Sequence, residues 1–354
     1  MVRWAWLFIS LILLTSSALA SDLTHPATEE SAQFVVISDM PYTNMEYALL
    51  EHPDGAIAKA IKVLNPPVLI HLGDFKKSRL SCSDELYKDN YRQIAHLNPH
   101  KTVFTPGDND WTDCDRFMLS TRHDELERLD YLRQLFFHQD PQQLTKDIPG
   151  LIRQEGFIEN AFWRIGPIVF ATLHIPGTNN GRKEILRSDV QAALDEADYR
   201  DQSNEKWLQQ LFAAAESAQA VVIAFHADMF GFDHDQPACS AENRTDCDGY
   251  RMLRELIKNY SLQFKKPVLA IHGDTLPYCL HQPYALIPNL WRLNAPGDYK
   301  YIDVSQILFD PENKAMPFTV TGLLDQKPAP AVCNDSFFGL SIQSPLLKQE
   351  APLS

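Results

Sequence analysis

The apolar positions of this chain fall into two kinds of run. Short continuous apolar stretches lie at residues 33–38 (Gln-Phe-Val-Val-Ile-Ser), 68–71, 101–105, 221–225 and 267–271. Unbroken apolar runs of this length suit strands covered on both faces. Between them, residues 54–64 place Ala56, Ala58, Ile61 and Leu64 at helical spacing, and Pro66 and Pro67 end the run. Residues 84–96, 203–218 and 250–260 are predicted helices. So is 125–137, which carries Leu126, Leu129, Leu132 and Phe136 or Phe137 on one face. Residues 161–165 and 168–174 flank Gly166-Pro167 as a hairpin, and 299–309 and 316–323 are later β-prone runs. Strands alternating with helices in units of about 30 residues imply an α/β fold with parallel strands and right-handed crossovers.

The strand ends change the picture. The first three strands run out at Asp39, Asp74 and Asp108, and two in the second half run out at His226 and Asp274. Adjacent parallel strands lie about 4.8 Å apart, so their C-terminal turns converge on one rim, where open α/β sheets hold ligands. Carboxylates gathered there raise one another's pKa unless a cation intervenes. The densest stretch is 101–114, Lys-Thr-Val-Phe-Thr-Pro-Gly-Asp-Asn-Asp-Trp-Thr-Asp-Cys, with Asp108, Asn109 and Asp110 on one tight turn. In isolation this reads equally as an Asx-rich surface turn. The recurrence of acids at strand ends is what points to a divalent metal. Asn179 and Asn180, in the loop at 176–181, are placed to face the same rim, whereas His71 and His174 read as structural and Trp111 as packing.

The composition is that of a globular protein, 45% hydrophobic and 22% charged over 354 residues, enough for one large domain or two small ones. Arg3, an apolar run at 5–14 and Ala18-Leu19-Ala20 read as a cleavable signal peptide over 1–20. The apolar run is too short to span a bilayer, which takes roughly 20 residues. The expected organisation is therefore 1–20 signal peptide, 21–325 a single domain and 326–354 an irregular Pro-rich tail, in a secreted or periplasmic protein. Export fits Cys82, Cys114, Cys239, Cys247, Cys279 and Cys333. Six cysteines allow about 15 connectivities, so the pairing stays open. Cys239 and Cys247 enclose a polar loop and are the easiest local pair. Cys82 and Cys114 each follow a rim turn, which would leave Cys279 and Cys333; free buried thiols are the alternative. The formal charge of −14 disfavours nucleic acid and anionic membrane as partners.

The ordered set Asp39, Gly73-Asp74, Gly107-Asp108-Asn109-Asp110, His226 and Gly273-Asp274-Thr275-Leu276 resembles the calcineurin-like metallophosphoesterase superfamily. That family's motif order is Asp-x-His, Gly-Asp, Gly-Asn-His-Asp/Glu, an isolated His and Gly-His-x-His, all at strand ends. The resemblance covers residues 33–309, and the stretch 106–114 looks like a divergent exported bacterial branch. It implies a two-sheet β sandwich flanked by helices (α-β-β-α), with a dinuclear metal site at the sheet rims. The activity it implies is hydrolysis of a small-molecule phosphomonoester or phosphodiester by metal-activated water. The departures are Pro41 in place of the first histidine, Asp108 for the metal-binding asparagine, Asn109 for the leaving-group histidine, and Asp274 and Leu276 for the last two histidines.

In these terms the expected metal ligands are Asp39, Tyr42, Asp74, Asp108, His226 and Asp274. One or two cations would sit there. An oxygen-rich set with a single imidazole favours Mn²⁺, Mg²⁺ or Ca²⁺ over Zn²⁺. The expected catalytic positions are Lys76, as a point charge on the phosphate, His272, as replacement proton donor, and Asn109, where that donor usually stands. The lost histidines support an alternative, a non-catalytic relative whose rim binds a metal, a ligand or a protein. A nucleotide-binding Rossmann domain is disfavoured, because no Gly-x-Gly-x-x-Gly follows the first strand.

Overall fold

The computed structural model describes residues 32–138, 144–231, 236–275 and 277–333. The expected signal peptide, Leu276 and the tail beyond residue 333 lie outside the described residues. In chain order the elements are β1 (Ala32–Ile37), α1 (Asn44–Leu50), α2 (Ala56–Leu64), β2 (Leu69–His71), α3 (Asp84–Leu97), β3 (Thr102–Phe104), α4 (Glu125–Arg133), β4 (Ile152–Gln154), β5 (Phe157–Ile165) and β6 (Ile168–Thr172). They continue with α5 (Val190–Ala214), β7 (Ala220–Ala224), α6 (Arg251–Phe264), β8 (Val268–His272), β9 (Cys279–His281), β10 (Leu290–Asn294), β11 (Ser305–Phe309) and β12 (Phe318–Gly322).

The strands form two sheets, ordered β12-β11-β1-β2-β3 and β4-β5-β6-β7-β8-β10-β9. The pairs β1–β2 and β2–β3 are parallel in the first sheet, as are β6–β7, β7–β8 and β8–β10 in the second. Antiparallel strands lie at the edges. The layering follows from side-chain alternation along each strand. Phe34 and Val36 of β1 face the second sheet, where they join Phe170, Val222, Leu269 and Ile271 in one buried cluster. The rings of Phe34 and Phe170 meet edge to face at 5.0 Å. Val35 and Ile37 point the other way, onto Leu50, Ile57 and Ile61 of α1 and α2. Val221 and Ile223 of β7 pack on Trp207, Leu208 and Leu211 of α5 and on Leu253 and Ile257 of α6. The architecture is thus mixed α/β, two sheets face to face with helices outside each.

Several elements depart from the sequence pattern for identifiable reasons. α1 was not expected; a capping box between Thr43 and Glu46 starts it. α5 begins at Val190, well before residue 203, capped by the Asp189 carboxylate, which accepts from Ala192 N at 2.9 Å. Ahead of Trp207 it buries the small Ala193 and Ala197 and Leu194 together with the polar Arg200, Asp201 and Asn204, so its apolar stripe is thin there. The helix expected over 125–137 stops at Arg133 and continues as a π turn, Gln134–His138. β9 and β10 were not expected, and the β-prone run at 299–309 is a strand only from Ser305.

Three disulfides form, Cys82–Cys114, Cys239–Cys247 and Cys279–Cys333, as an oxidising compartment allows. No helix among the described residues is long and apolar enough to cross a membrane.

Candidate metal centre

The rim residues are delivered by backbone that departs from the strands abruptly. Asp39, Asp74 and Asp274 are left-handed, with φ of 53°, 55° and 67°. Aspartate tolerates this region better than most side chains. The turns are tied to one another through the main chain: Asp39 N donates to Gly73 O at 3.3 Å, and Gly273 N to His226 O at 2.9 Å. Two glycines permit the close approach. A Cβ at Gly107 would strike the Asp74 carboxylate and the His226 ring, and one at Gly273 would strike Ser38 and Asp39.

His226 is the centre of the arrangement. It is fully buried, and its Nδ1 lies 2.9 Å from the carbonyl oxygen of Leu72. A carbonyl only accepts, so Nδ1 carries the proton and Nε2 is the nitrogen offered to the rim. Around Nε2 stand Asp108 Oδ1 at 3.1 Å, Asp74 Oδ1 at 3.4 Å and Asp274 Oδ1 at 3.9 Å. Asp39 lies alongside, its Oδ2 accepting from Asp274 N at 3.1 Å. Two overlapping groups, Asp39–Asp74–His226 and Asp108–His226–Asp274, keep their ligand atoms within 4.8 Å of one another. All five strand-end residues therefore converge.

The electrostatics are those of a site short of positive charge. Burial, only partly offset by His226, pushes Asp39 up and Asp74 well up. Burial and Asp108 push Asp274 to about 7. Burial also acts to raise Asp108, but the hydrogen bond and charge of His226 outweigh it and hold Asp108 low. Burial favours a neutral His226 ring, yet the surrounding carboxylates hold it well above its usual range. Four carboxylates and one imidazole form a donor set that fits an oxygen-preferring divalent cation, with Nδ1 fixed by a carbonyl as metal-bound imidazoles require.

The remaining expected residues are placed differently. The Tyr42 hydroxyl lies 2.8 Å from Asp74 Oδ2 and 3.2 Å from Asp39 Oδ1. Burial and the Asp74 charge push its pKa well up. As placed, its hydroxyl bridges the two carboxylates. Asn109 donates its side-chain amide to Asp74 Oδ2 and, at 3.1 Å, to the Tyr42 hydroxyl, while its backbone N–H reaches Asp74 Oδ1 at 3.0 Å.

Lys76 is fully buried, and its Nζ has no hydrogen-bond partner among the described residues, so as arranged it does not meet an incoming phosphate. His272 is also withdrawn. Its Nδ1 lies 2.8 Å from Gly273 O and its Nε2 accepts from Arg292 Nε at 2.8 Å. Burial and Arg292 bring it down to about 4 although Asp228 opposes them. Its one proton, on Nδ1, is donated to Gly273 O and its Nε2 is capped by Arg292, so as arranged the ring does not present a proton donor to the rim.

Other residues carry roles the sequence did not signal. Asp110, the third acid of the 108–110 turn, leaves the rim; it accepts from Gly107 N and Asp74 N, each at 2.8 Å, and from Phe75 N at 3.0 Å. Asn179 and Asn180 also turn away, and Thr178 faces the rim in their place. Asp228 accepts from Arg292 Nη2 at 2.8 Å and from the Thr275 hydroxyl at 2.9 Å, and its N–H donates to Asp274 Oδ2 at 3.2 Å. Gly297-Asp298 was the only cue to Asp298, whose N–H donates to Asp39 O at 3.3 Å and whose carboxyl burial and Asp39 raise to about 7. His71 and His174 are structural: His71 Nδ1 accepts from Gly73 N at 3.1 Å, and His174 lies between Glu159 and the Trp111 indole N–H.

No family model matches the chain, and no curated protein matches it.

Proposed function

We propose that this chain is an exported, metal-dependent phosphoesterase of the calcineurin-like type, organised around one firmly held divalent cation. The observation that carries the reading is the His226 ring, whose Nε2 is turned by Leu72 O into three carboxylates at 3.1–3.9 Å. Asp74, Asp108, His226 and Asp274 are the residues that would hold the ion. When bound, such an ion supplies Lewis acidity and makes water a nucleophile near neutral pH.

The protein's own groups do the rest. The Tyr42 hydroxyl bridges Asp39 and Asp74, where the resemblance would put a second metal, and Asn109 donates to Asp74 and to that hydroxyl. One position is thus favoured over two. The Asp274 side chain keeps 27% of its surface exposed, which leaves the site open on that side to a small phosphoester.

A second reading is metal-dependent ligand binding without hydrolysis. It is favoured by His272, whose nitrogens are both engaged, and by the withdrawal of Lys76.

The test combines metal analysis of the purified, oxidised protein with an assay on an activated aryl phosphate in Mn²⁺. Expected are one equivalent of divalent metal, and hydrolysis that disappears with the metal in Asp74→Asn. A protein that takes up no divalent ion overturns both readings. Uptake without hydrolysis of the activated ester leaves the binding reading in place of the catalytic one.

A further inference from the structure

We propose that Thr178 is a positioning residue for Asp108, delivered to the rim by a left-handed turn that is enforced from outside the site. The inference rests on the metal-binding reading and deepens it by naming what aims one of the ligands.

Thr178, Asn179 and Asn180 have φ, ψ of 54°, 43°, then 55°, 47°, then 59°, 42°. Three successive non-glycine residues in this region are costly, most of all for a β-branched one, and persist only where the surroundings over-determine them. The surroundings here are specific. Asn179 donates to Cys247 O at 3.0 Å and its Oδ1 accepts from Gly249 N at 2.9 Å. Asn180 donates to Asp201 Oδ1 at 2.7 Å and to Gly249 O at 3.2 Å, and its own carbonyl accepts from Arg200 Nη2 at 2.8 Å. Both asparagines are anchors, gripping the 247–249 backbone that the Cys239–Cys247 bridge ties down.

What this grip presents to the rim is one hydroxyl. Thr178 Oγ1 lies 3.3 Å from Asp108 Oδ2, 3.3 Å from Asp113 Oδ1 and 3.4 Å from Thr112 Oγ1. Thr112 spends its own proton on Asp108 O, and the other oxygens of the two carboxylates are taken by His226 Nε2 and by Arg116, so the Thr178 hydroxyl is the side-chain donor that Asp108 Oδ2 shares with Asp113 Oδ1. Gly177 lies against the Asp108 carboxylate, which a Cβ there would strike. With Oδ2 engaged by Thr178 and Gly177 packed against it, Asp108 turns Oδ1 towards His226 Nε2 at 3.1 Å. Fixing one oxygen of a ligating carboxylate in this way sets both its direction and its denticity.

The test is Mn²⁺ affinity by titration calorimetry on the whole oxidised chain, with the thermal midpoint of the metal-free protein measured in parallel. Thr178→Val keeps the shape and the strain but loses the hydroxyl; Thr178→Ser restores it; Thr178→Gly loses it while relieving the backbone. Thr178→Val and Thr178→Gly are expected to bind about tenfold more weakly, the usual effect of removing an outer-shell partner. Thr178→Ser is expected to bind like wild type, and Thr178→Gly to melt no lower than wild type. A merely structural residue would instead make affinity follow the melting temperature. The proposal is overturned if Thr178→Val binds like wild type, if Thr178→Ser is as weak as Thr178→Val, or if affinity and midpoint fall together across the series. In those outcomes the wild type still binds Mn²⁺ and the metal-site reading stands. A wild type that binds no Mn²⁺ removes both.

Discussion

His71 ends β2 and His226 follows β7, and both are fully buried, yet their pKa values move in opposite directions. Burial lowers the His71 imidazole to about 3, the Met40 carbonyl offsetting only part of the effect and His226 adding to it. At His226 the clustered carboxylates reverse the effect of burial. For His71 the consequence is a stability that depends on pH. The unfolded ring takes a proton near pH 6.5, and the folded ring does not until about 3. Its contribution is complete above pH 6.5 and is lost as pH falls toward 3, because the unfolded state binds the extra proton over that window. Urea unfolding should therefore show His71→Gln losing less stability than wild type between pH 7 and pH 4.5. Equal losses would mean that His71 is already charged in the folded protein.

At the scale of elements, the strands bring the acids together only because their turns touch. Gly107 ends β3's loop against Asp74 and His226 with no room for a methyl group. Gly107→Ala should shift those two ligands directly, and the metal content of the purified variant should drop further than its thermal midpoint would imply. Full metal occupancy in that variant would show that the β2 and β3 turns can separate without cost to the site. α5 illustrates the opposite dependence. Arg200 and Asp201 are buried in it to hold Asn180 O and the Asn180 and Arg182 side chains. With these polar residues and the small Ala193 and Ala197 buried, Leu194 is the one large apolar side chain the helix buries ahead of Trp207.

At the scale of the whole molecule, the three disulfides divide between stability and site geometry. Cys279–Cys333 closes a separation of 54 residues and Cys239–Cys247 one of 8. In the chain-entropy model the first contributes about 4 kcal/mol and the second about 2.5 kcal/mol. Replacing both cysteines of the longer loop by serine should cost more in chemical denaturation and leave Mn²⁺ affinity unchanged. The same change at Cys239 and Cys247 should cost less stability but weaken Mn²⁺ binding, because Asn179 grips the Cys247 carbonyl. The ranking fails if the two double variants lose affinity equally.

The sequence alone determined the β-α-β order and which strand ends carry Asp39, Asp74, Asp108, His226 and Asp274. A run such as Phe-Val-Val-Ile must be covered on both faces, and parallel strands must end on the same side. It also held the right disulfide partners among the open possibilities, since neighbours in a loop or at adjacent turns have the shortest distance to close. It did not separate Thr178 from Asn179 and Asn180. Residues one position apart on a tight turn differ in nothing but direction, and direction is decided by φ, by the glycines that let two backbones meet and by acceptors arriving from other elements. The placement of His272 against Arg292 and the burial of Lys76 are likewise properties of the packed sheets and of no local pattern.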